Sequence, residues 1–282
     1  VATHKRAYIF GCPVGHSISP EIHNAAFEAC GLPVSYSARE VKSHNLPEAV
    51  RELRSDDVVG ANITVPHKEA VMSLVDEIDD EAHAIGAVNT IHNRGGRLWA
   101  SNTDAMGFAR SLLEAGIEVQ GAAVLILGAG GAARAVATAL LSHGVRRLLV
   151  ANRTTDRAQR LTADLKARFS GPDIQSRPLN TLSANDSQKC ELIVNTTTIG
   201  LRANEAALPG ELLPPHGAVV DLIYDPPRTS LLHNAERAGL KTLNGLPMLV
   251  HQAAASWETW TRRPAPLEAM RSAARSALSA QR

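Results

Sequence analysis

The sequence predicts a two-domain α/β protein, and three features carry that prediction. Strand-sized and helix-sized segments alternate through the first hundred of its 282 residues, a pattern that favours a sheet covered by helices. A second alternating unit opens on the glycine-rich stretch "AAVLILGAGGAARA". Two amphipathic segments with no strand between them close the chain. We expect a first domain over residues 1–103, completed by residues 246–282, and a second domain over residues 104–245.

In chain order, "AYIFG" reads as a strand. "SPEIHNAAFEACG" reads as a helix with Ser19 as N-cap, Pro20 at the first helical position and Gly31 past its end. "VSYSAREV" is a second strand, "LPEAVRELR" a helix and "VVGANITV" a third strand. In "TVPHK", Pro66 suits the first position of a helix. That would put Lys68 in the first turn, where the macrodipole repels an ammonium. "AVNTIHN" and "RLWASN" flank Arg94-Gly95-Gly96 as a hairpin. "DAMGFARSLLEAG" is a helix from Asp104 to near Gly116, and its start favours a carboxylate. If Lys68 and Asp104 meet, each charge accounts for the other. Further strands follow in "RRLLVANRT", "ELIVNTTT" and "AVVDLIY". The closing "GLPMLVHQAAASWETW" and "APLEAMRSAARSALSA" are helices able to return to the first domain.

The glycine loop identifies the second domain. Gly128, Gly130 and Ala133 keep the G-x-G-x-x-G/A spacing straight after an apolar strand and at the start of a helix. The first glycine permits a tight turn, the second lets backbone approach a pyrophosphate, and the small third residue lets helix and strand pack closely. Gly128, Ala129, Gly130, Gly131 and Ala132 would line the phosphates of a dinucleotide in a Rossmann-type domain. The next strand ends in Asn152, Arg153 and Thr154, with Arg157 one helical turn on. NAD-binding strands usually end in an acid that bonds the ribose 2′-hydroxyl. Arginine suits a 2′-phosphate instead, so the expected cofactor is NADP.

Composition removes several function classes. The chain is 44% hydrophobic and 20% charged with a formal net charge of +1, so no bulk field recruits nucleic acid or an anionic membrane. Its apolar runs are strand-sized, far short of the roughly 20 residues of a membrane span. The start, "VATHKRAYIFG", has no long apolar core with a cleavage site, so no signal peptide is expected. Cys12, Cys30 and Cys190 lack close pairing, which points to a reducing cytoplasm. His16 and His23 could face each other across a helix start, but no metal-ligand spacing accompanies them, and no metal is expected.

Eight blocks carry a family resemblance: "GCPVGHSISPEIHN", "GANITVPHK", "GAVNT", "NTDAMGF", "GAGGAARA", "NRT", "VVDLIYDP" and "NGLPMLVHQAA". In this order, from about Tyr8 to Trp260, the chain resembles the NADP-dependent shikimate dehydrogenases, which interconvert 3-dehydroshikimate and shikimate on the route to chorismate and the aromatic amino acids. The resemblance implies that the first domain binds substrate and that Lys68 and Asp104 are the catalytic pair. It implies that Ser17 and Ser19 bind the substrate carboxylate. Asn62, Thr64, Asn89, Tyr224 and Gln252 would hold the ring hydroxyls or the carboxylate, and Leu222, Gly245 and Met248 would lie near the nicotinamide. A small, densely hydroxylated acid offers little apolar surface, so many short polar side chains must recognise it. Within the resembling family, enzymes that accept quinate tend to carry threonine where this chain has Ser19. Some positions depart from the usual pattern: Ala100-Ser101 stand where a glycine is common, Leu201 and Leu222 where methionine is frequent, and Pro247 interrupts a glycine-favoured turn. All are apolar or small and spare the polar roles. A monomer or homodimer without a fused dehydratase is expected. The alternatives are a quinate/shikimate dehydrogenase using NAD(P), and a non-catalytic NADP-sensing protein, which would have no need of Lys68 and Asp104.

Overall fold

A computed structural model describes residues 4–201 and 205–280. The chain divides into two compact units, Val1–Gly107 with Leu249–Arg282, and Phe108–Met248.

The first unit opens with β1 (Lys5–Gly11), α1 (Ser19–Ala29), β2 (Val34–Glu40), α2 (Leu46–Glu52) and β3 (Val58–Ile63). It continues through β4 (Glu77–Ile78), α3 (Asp80–Ile85), β5 (Thr90–Arg94) and β6 (Arg97–Ser101) into α4 (Asp104–Glu114). The sheet order is β2-β1-β3-β5-β6-β4. β1 pairs in parallel with β2 and β3, β5 runs antiparallel to β3 and β6, and β4 lies parallel to β6. The β5–β6 hairpin turns on Gly95 and Gly96, whose φ angles of 63° and 88° fit the two-residue turn that matches strand twist. On the edge strand β2, the Asn24 side chain bonds the Tyr36 carbonyl at 2.9 Å and its N–H at 2.8 Å, so α1 satisfies backbone groups an edge would leave open. Phe10, Leu46, Leu53, Ile63 and Leu98 are among the buried residues of the core on one side of this sheet.

Two local expectations are corrected, and two elements were not foreseen. Ser19 is the first residue of α1 rather than its cap, which is Ile18. No α-helix starts at Pro66. The segment turns through Lys68 into a short 3-10 helix over Ala70–Leu74. The reason is a competing partner: the Lys68 carbonyl accepts the Val88 N–H at 2.8 Å, which removes it from an i→i+4 ladder. β4 and α3 went unanticipated because they are short; α3 is set by its Asp79 cap, which accepts the Ala82 N–H at 2.6 Å, and by Gly86 at φ 72°.

The second unit contains β7 (Ala123–Leu127), α5 (Gly131–Ser142), β8 (Arg147–Asn152), α6 (Thr155–Arg168), β9 (Asp173–Pro178), α7 (Ala184–Ser187), β10 (Leu192–Asn195), β11 (Ala218–Asp221), α8 (Ser230–Arg237) and β12 (Lys241–Leu243). Every strand pair is parallel, and the order β12-β11-β10-β7-β8-β9 is that of the doubly wound nucleotide-binding sheet. β7, β10 and β11 are buried at every residue, as central parallel strands covered on both faces must be. The order reverses between β7 and β10, which opens a crevice beyond their C-terminal ends, where the glycine loop begins. β9 and β12 were not anticipated; "DIQSRP" and "KTL" carry too few apolar residues to announce strands.

α9 (Leu246–Thr261) and α10 (Leu267–Ala280) end the chain. From Leu249 onward they belong to the first unit. Trp260 Nε1 donates to the Ile91 carbonyl at 3.0 Å across Gly60, where any Cβ would come within 2.8 Å of the indole nitrogen.

Candidate active site

In the first unit, charge and polarity collect where β3, β5, the Lys68 turn, the start of α4 and α9 converge. Lys68 Nζ forms an ion pair with Asp104 Oδ2, and both side chains are largely shielded, at 14% and 6% exposure. Asp104 sits at the α4 start because Asn102 Oδ1 takes its backbone N–H at 3.0 Å. The second carboxylate oxygen, Oδ1, accepts from Asn89 Nδ2 at 2.8 Å. Asn89 is itself clamped: its N–H donates to the Ser101 carbonyl at 3.1 Å and its carbonyl accepts from Ile63 N–H at 2.8 Å. Its amide also reaches Gln252 Oε1 at 3.4 Å. A cation, a carboxylate and a primary amide are thus held together by direct contacts.

Asn62 lies one layer beneath. Its Nδ2 contacts the Asn89 carbonyl, Thr90 Oγ1 and Ser256 Oγ at 3.1, 3.1 and 2.9 Å. Its Oδ1 accepts from the Tyr36 hydroxyl at 2.8 Å. Burial holds the Tyr36 phenol well above its ordinary range, so it stays a donor. Burial also drives the His23 imidazole, stacked on Tyr36 at 4.3 Å, down to about 3, an effect that the Asn62 side chain offsets only in part. Neither His23 nitrogen makes a well-formed hydrogen bond, because the Asn62 amide is already committed elsewhere, and the ring is neutral. At the α1 start, Ser17 and Ser19 lie side by side, with the hydroxyls 3.1 Å apart and the Ser19 N–H on Ser17 Oγ at 3.2 Å. Pro20, next in the helix, has no N–H and the Ile22 N–H is taken by the Ile18 carbonyl at 3.2 Å, so the polar groups this end presents are chiefly the two hydroxyls. No cluster of three or more His, Cys, Asp or Glu side chains able to hold a metal occurs among the described residues.

In the second unit, Gly128 leaves β7 at φ 114°, and a Cβ there would strike Thr196 Oγ1 at 2.3 Å. Gly130 caps α5 without a side-chain bond, and a Cβ on it would meet nothing within 4 Å. The helix therefore offers uncapped N–H groups to open space, the cradle a pyrophosphate needs. Arg153 and Arg157 are exposed beyond β8, with no ion-pair partner among the described residues, and Asn152 Nδ2 fixes their turn by donating to the Thr154 carbonyl at 2.8 Å. These residues fit a dinucleotide bearing an extra phosphate. Gly245 packs on Leu222, where a Cβ would lie 1.9 Å from the Leu222 carbonyl oxygen. Tyr224 is half-buried two residues past Leu222, and Met248 is buried.

Comparison with known proteins decides the family. Residues 9–91 match the family described as shikimate dehydrogenase substrate binding domain, residues 109–198 match shikimate / quinate 5-dehydrogenase, and residues 245–275 match the shikimate 5'-dehydrogenase C-terminal domain. The shikimate dehydrogenase (NADP(+)) of Symbiobacterium thermophilum is 44% identical over 97% of this chain and 94% of its own. The chain belongs to the shikimate dehydrogenase family. The shikimate dehydrogenase (NADP(+)) of Methanopyrus kandleri is 42% identical, over 94% of this chain and 93% of its own. The shikimate 5-dehydrogenase of Thermus thermophilus, solved in complex with NADP(H) and shikimate, superposes with a TM-score of 0.87 at 39% identity, covering 97% of this chain and 99% of that one.

In this chain, the hydrogen bonds of the first unit join Lys68, Asp104, Asn89, Gln252 and Asn62, and join Ser17 to Ser19. Thr64 is held at the end of β3, where its N–H donates to the Phe10 carbonyl at 2.8 Å. Sequence reasoning missed Tyr36, Thr90, Thr103 and Ser256. One signal for Ser256 was present: Gln252 and Ser256 stand four residues apart in an otherwise apolar stretch of α9, which places both on one helix face.

Proposed function

We propose that this chain catalyses the reversible NADPH-dependent reduction of 3-dehydroshikimate to shikimate, with Lys68 and Asp104 as its proton-handling pair. The observation that carries the assignment is the shielded Lys68–Asp104 ion pair oriented by Asn89, in a chain of this family. The uncapped α5 start, with Gly128 to Ala132, would hold the pyrophosphate, and Arg153 and Arg157 the 2′-phosphate, beside Asn152 and Thr154. When bound, the cofactor supplies or accepts the hydride. Ser17 and Ser19 receive the substrate carboxylate, and Thr64, Asn89 and Gln252 orient ring hydroxyls. Asn62 serves through Asn89, since its own amide is engaged with protein groups. Tyr224 contributes from the loop after β11, and Leu222, Gly245 and Met248 form the apolar side of the nicotinamide site.

In the reducing direction, Lys68 Nζ donates its proton to the carbonyl oxygen that becomes the hydroxyl. In the oxidising direction, the neutral amine takes that proton back. Asp104 Oδ2 fixes Nζ and balances its charge, while Asn89 keeps Oδ1 from rotating away. The near-neutral surface supports a small-molecule substrate rather than nucleic acid. No helix among the described residues is long and apolar enough to cross a membrane. We place the enzyme in the cytoplasm, as a monomer or homodimer.

The deciding experiment supplies purified protein with shikimate and NADP⁺ and follows NADPH absorbance, with quinate and NAD⁺ as parallel arms. Rapid turnover only with shikimate and NADP⁺ is expected. Comparable turnover of quinate would replace this reading with a quinate/shikimate dehydrogenase. No turnover, with NADP still bound, would replace it with an NADP-sensing protein.

A further inference from the structure

Below Asn89 lies a cluster of three hydroxyls that the chemistry above does not use. Thr90 and Ser256 are fully buried and Thr103 nearly so. Ser256 Oγ lies 2.8 Å from Thr90 Oγ1 and 3.1 Å from Thr103 Oγ1. Its own proton goes to the Gln252 carbonyl, one turn back on α9, at 3.0 Å. Towards every other neighbour Ser256 is therefore an acceptor, and a hydroxyl oxygen has two lone pairs. Asn62 Nδ2, at 2.9 Å, takes one. One threonine proton takes the other.

The remaining threonine proton needs an acceptor. Asn89 Oδ1 is within reach of both, at 2.9 Å from Thr90 Oγ1 and 3.2 Å from Thr103 Oγ1. The same oxygen accepts the Thr103 backbone N–H at 2.8 Å. With its oxygen held there, the amide directs its nitrogen to Asp104 Oδ1 at 2.8 Å and to Thr103 Oγ1 at 3.0 Å. With Ser256 in place, one threonine is occupied and the other is committed to Asn89. Without it, two protons compete for Asn89 Oδ1, and Asn62 Nδ2 is left with the Asn89 carbonyl and Thr90 Oγ1, each at 3.1 Å.

We propose that Ser256 is a positioning residue for the catalytic pair: from α9, near the far end of the chain, it orders the Thr90 and Thr103 hydroxyls so that the Asn89 amide faces Asp104. The inference rests on the function proposed above. The test is a kinetic cycle on the full chain with shikimate and NADP⁺, using Ser256→Ala, Asn89→Ala and the double variant, with melting temperatures measured alongside. Ser256→Ala is expected to lower kcat by roughly 3- to 20-fold, the size of a lost buried hydrogen bond, with KM for shikimate nearly unchanged. In the Asn89→Ala background, Ser256→Ala should cost little further, because both act on one carboxylate. Ser256→Cys, which keeps the volume but accepts weakly, should fall between serine and alanine; it carries the same test if the alanine variant does not fold. An unchanged kcat in either folded variant, or losses that multiply in the double variant, would overturn the role of Ser256 alone. An unmodified protein inactive on shikimate would overturn the functional reading and this inference with it.

Discussion

Lys68 shows how far one side chain depends on its neighbours. Its carbonyl is taken by Val88 and its ammonium by Asp104, so a turn rather than a helix presents it. Lys68→Ala is expected to cut kcat by roughly 10²–10⁴, the usual range for a positioned acid–base group. Substrate KM should move much less, because the lost interaction belongs mainly to the transition state. A hundredfold rise in KM at constant kcat would make Lys68 a binding residue instead. Ser19 decides a different quantity. On the proposed reading the Ser17–Ser19 pair receives a carboxyl on a flat sp² carbon, and no residue is assigned to the extra hydroxyl of quinate. Burying that hydroxyl unpaired costs about 1–3 kcal/mol, so kcat/KM should favour shikimate by at least roughly tenfold. Ser19→Thr should narrow the gap; paired measurements on both acids in the variant and its parent check this.

At the scale of elements, the proposed function gives cofactor choice to the β8–α6 turn and cofactor placement to the β11 and β12 ends. Each charge-assisted contact from Arg153 or Arg157 to a 2′-phosphate is worth about 1.5–3 kcal/mol. Neutralising both should raise KM for NADP⁺ far more than KM for NAD⁺, and equal rises would remove the arginines from the phosphate site. Gly245 has no room for a Cβ against the Leu222 carbonyl oxygen, 1.9 Å away. Because that neighbour is backbone, Gly245→Ala must displace the segment carrying Leu222 and Tyr224. It should weaken NADP⁺ binding, measured by calorimetric titration, while leaving the Lys68–Asp104 pair intact. Asp221 anchors the same segment: its buried carboxylate accepts from Asn195 Nδ2 at 2.9 Å, Thr229 Oγ1 at 2.7 Å and Ile223 N–H at 3.1 Å. Burial raises its affinity for a proton despite these bonds.

At the scale of the whole molecule, acid stability depends on a residue the chemistry never touches. His23 is neutral in the fold down to about 3, against 6.5 in an unfolded chain. Below pH 6.5 the unfolded chain binds a proton that the folded chain refuses, so this residue's contribution falls as pH falls from 6.5 towards 3. The loss is about 1.4 kcal/mol per pH unit across that window. His23→Phe, which keeps the aromatic stack, should flatten the fall in unfolding free energy between about pH 6.5 and 5 by about 2 kcal/mol in urea titrations. An unchanged slope would place the acid sensitivity elsewhere. Elements whose causes are local were legible in the sequence: the Gly128-to-Ala133 loop, the apolar strands β7, β10 and β11, the Gly95-Gly96 hairpin turn and the carboxylate at the α4 start. Backbone conformation and burial period are written in consecutive residues, so these could be read directly. Tertiary structure alone decided the rest. The Lys68 helix failed because Val88, distant in the chain, captured its carbonyl. The Asn62 amide found its partners in Tyr36 and Ser256, on β2 and α9. Hydrogen-bond valence is finite, and which partner fills it is settled by long-range packing that no local spacing records.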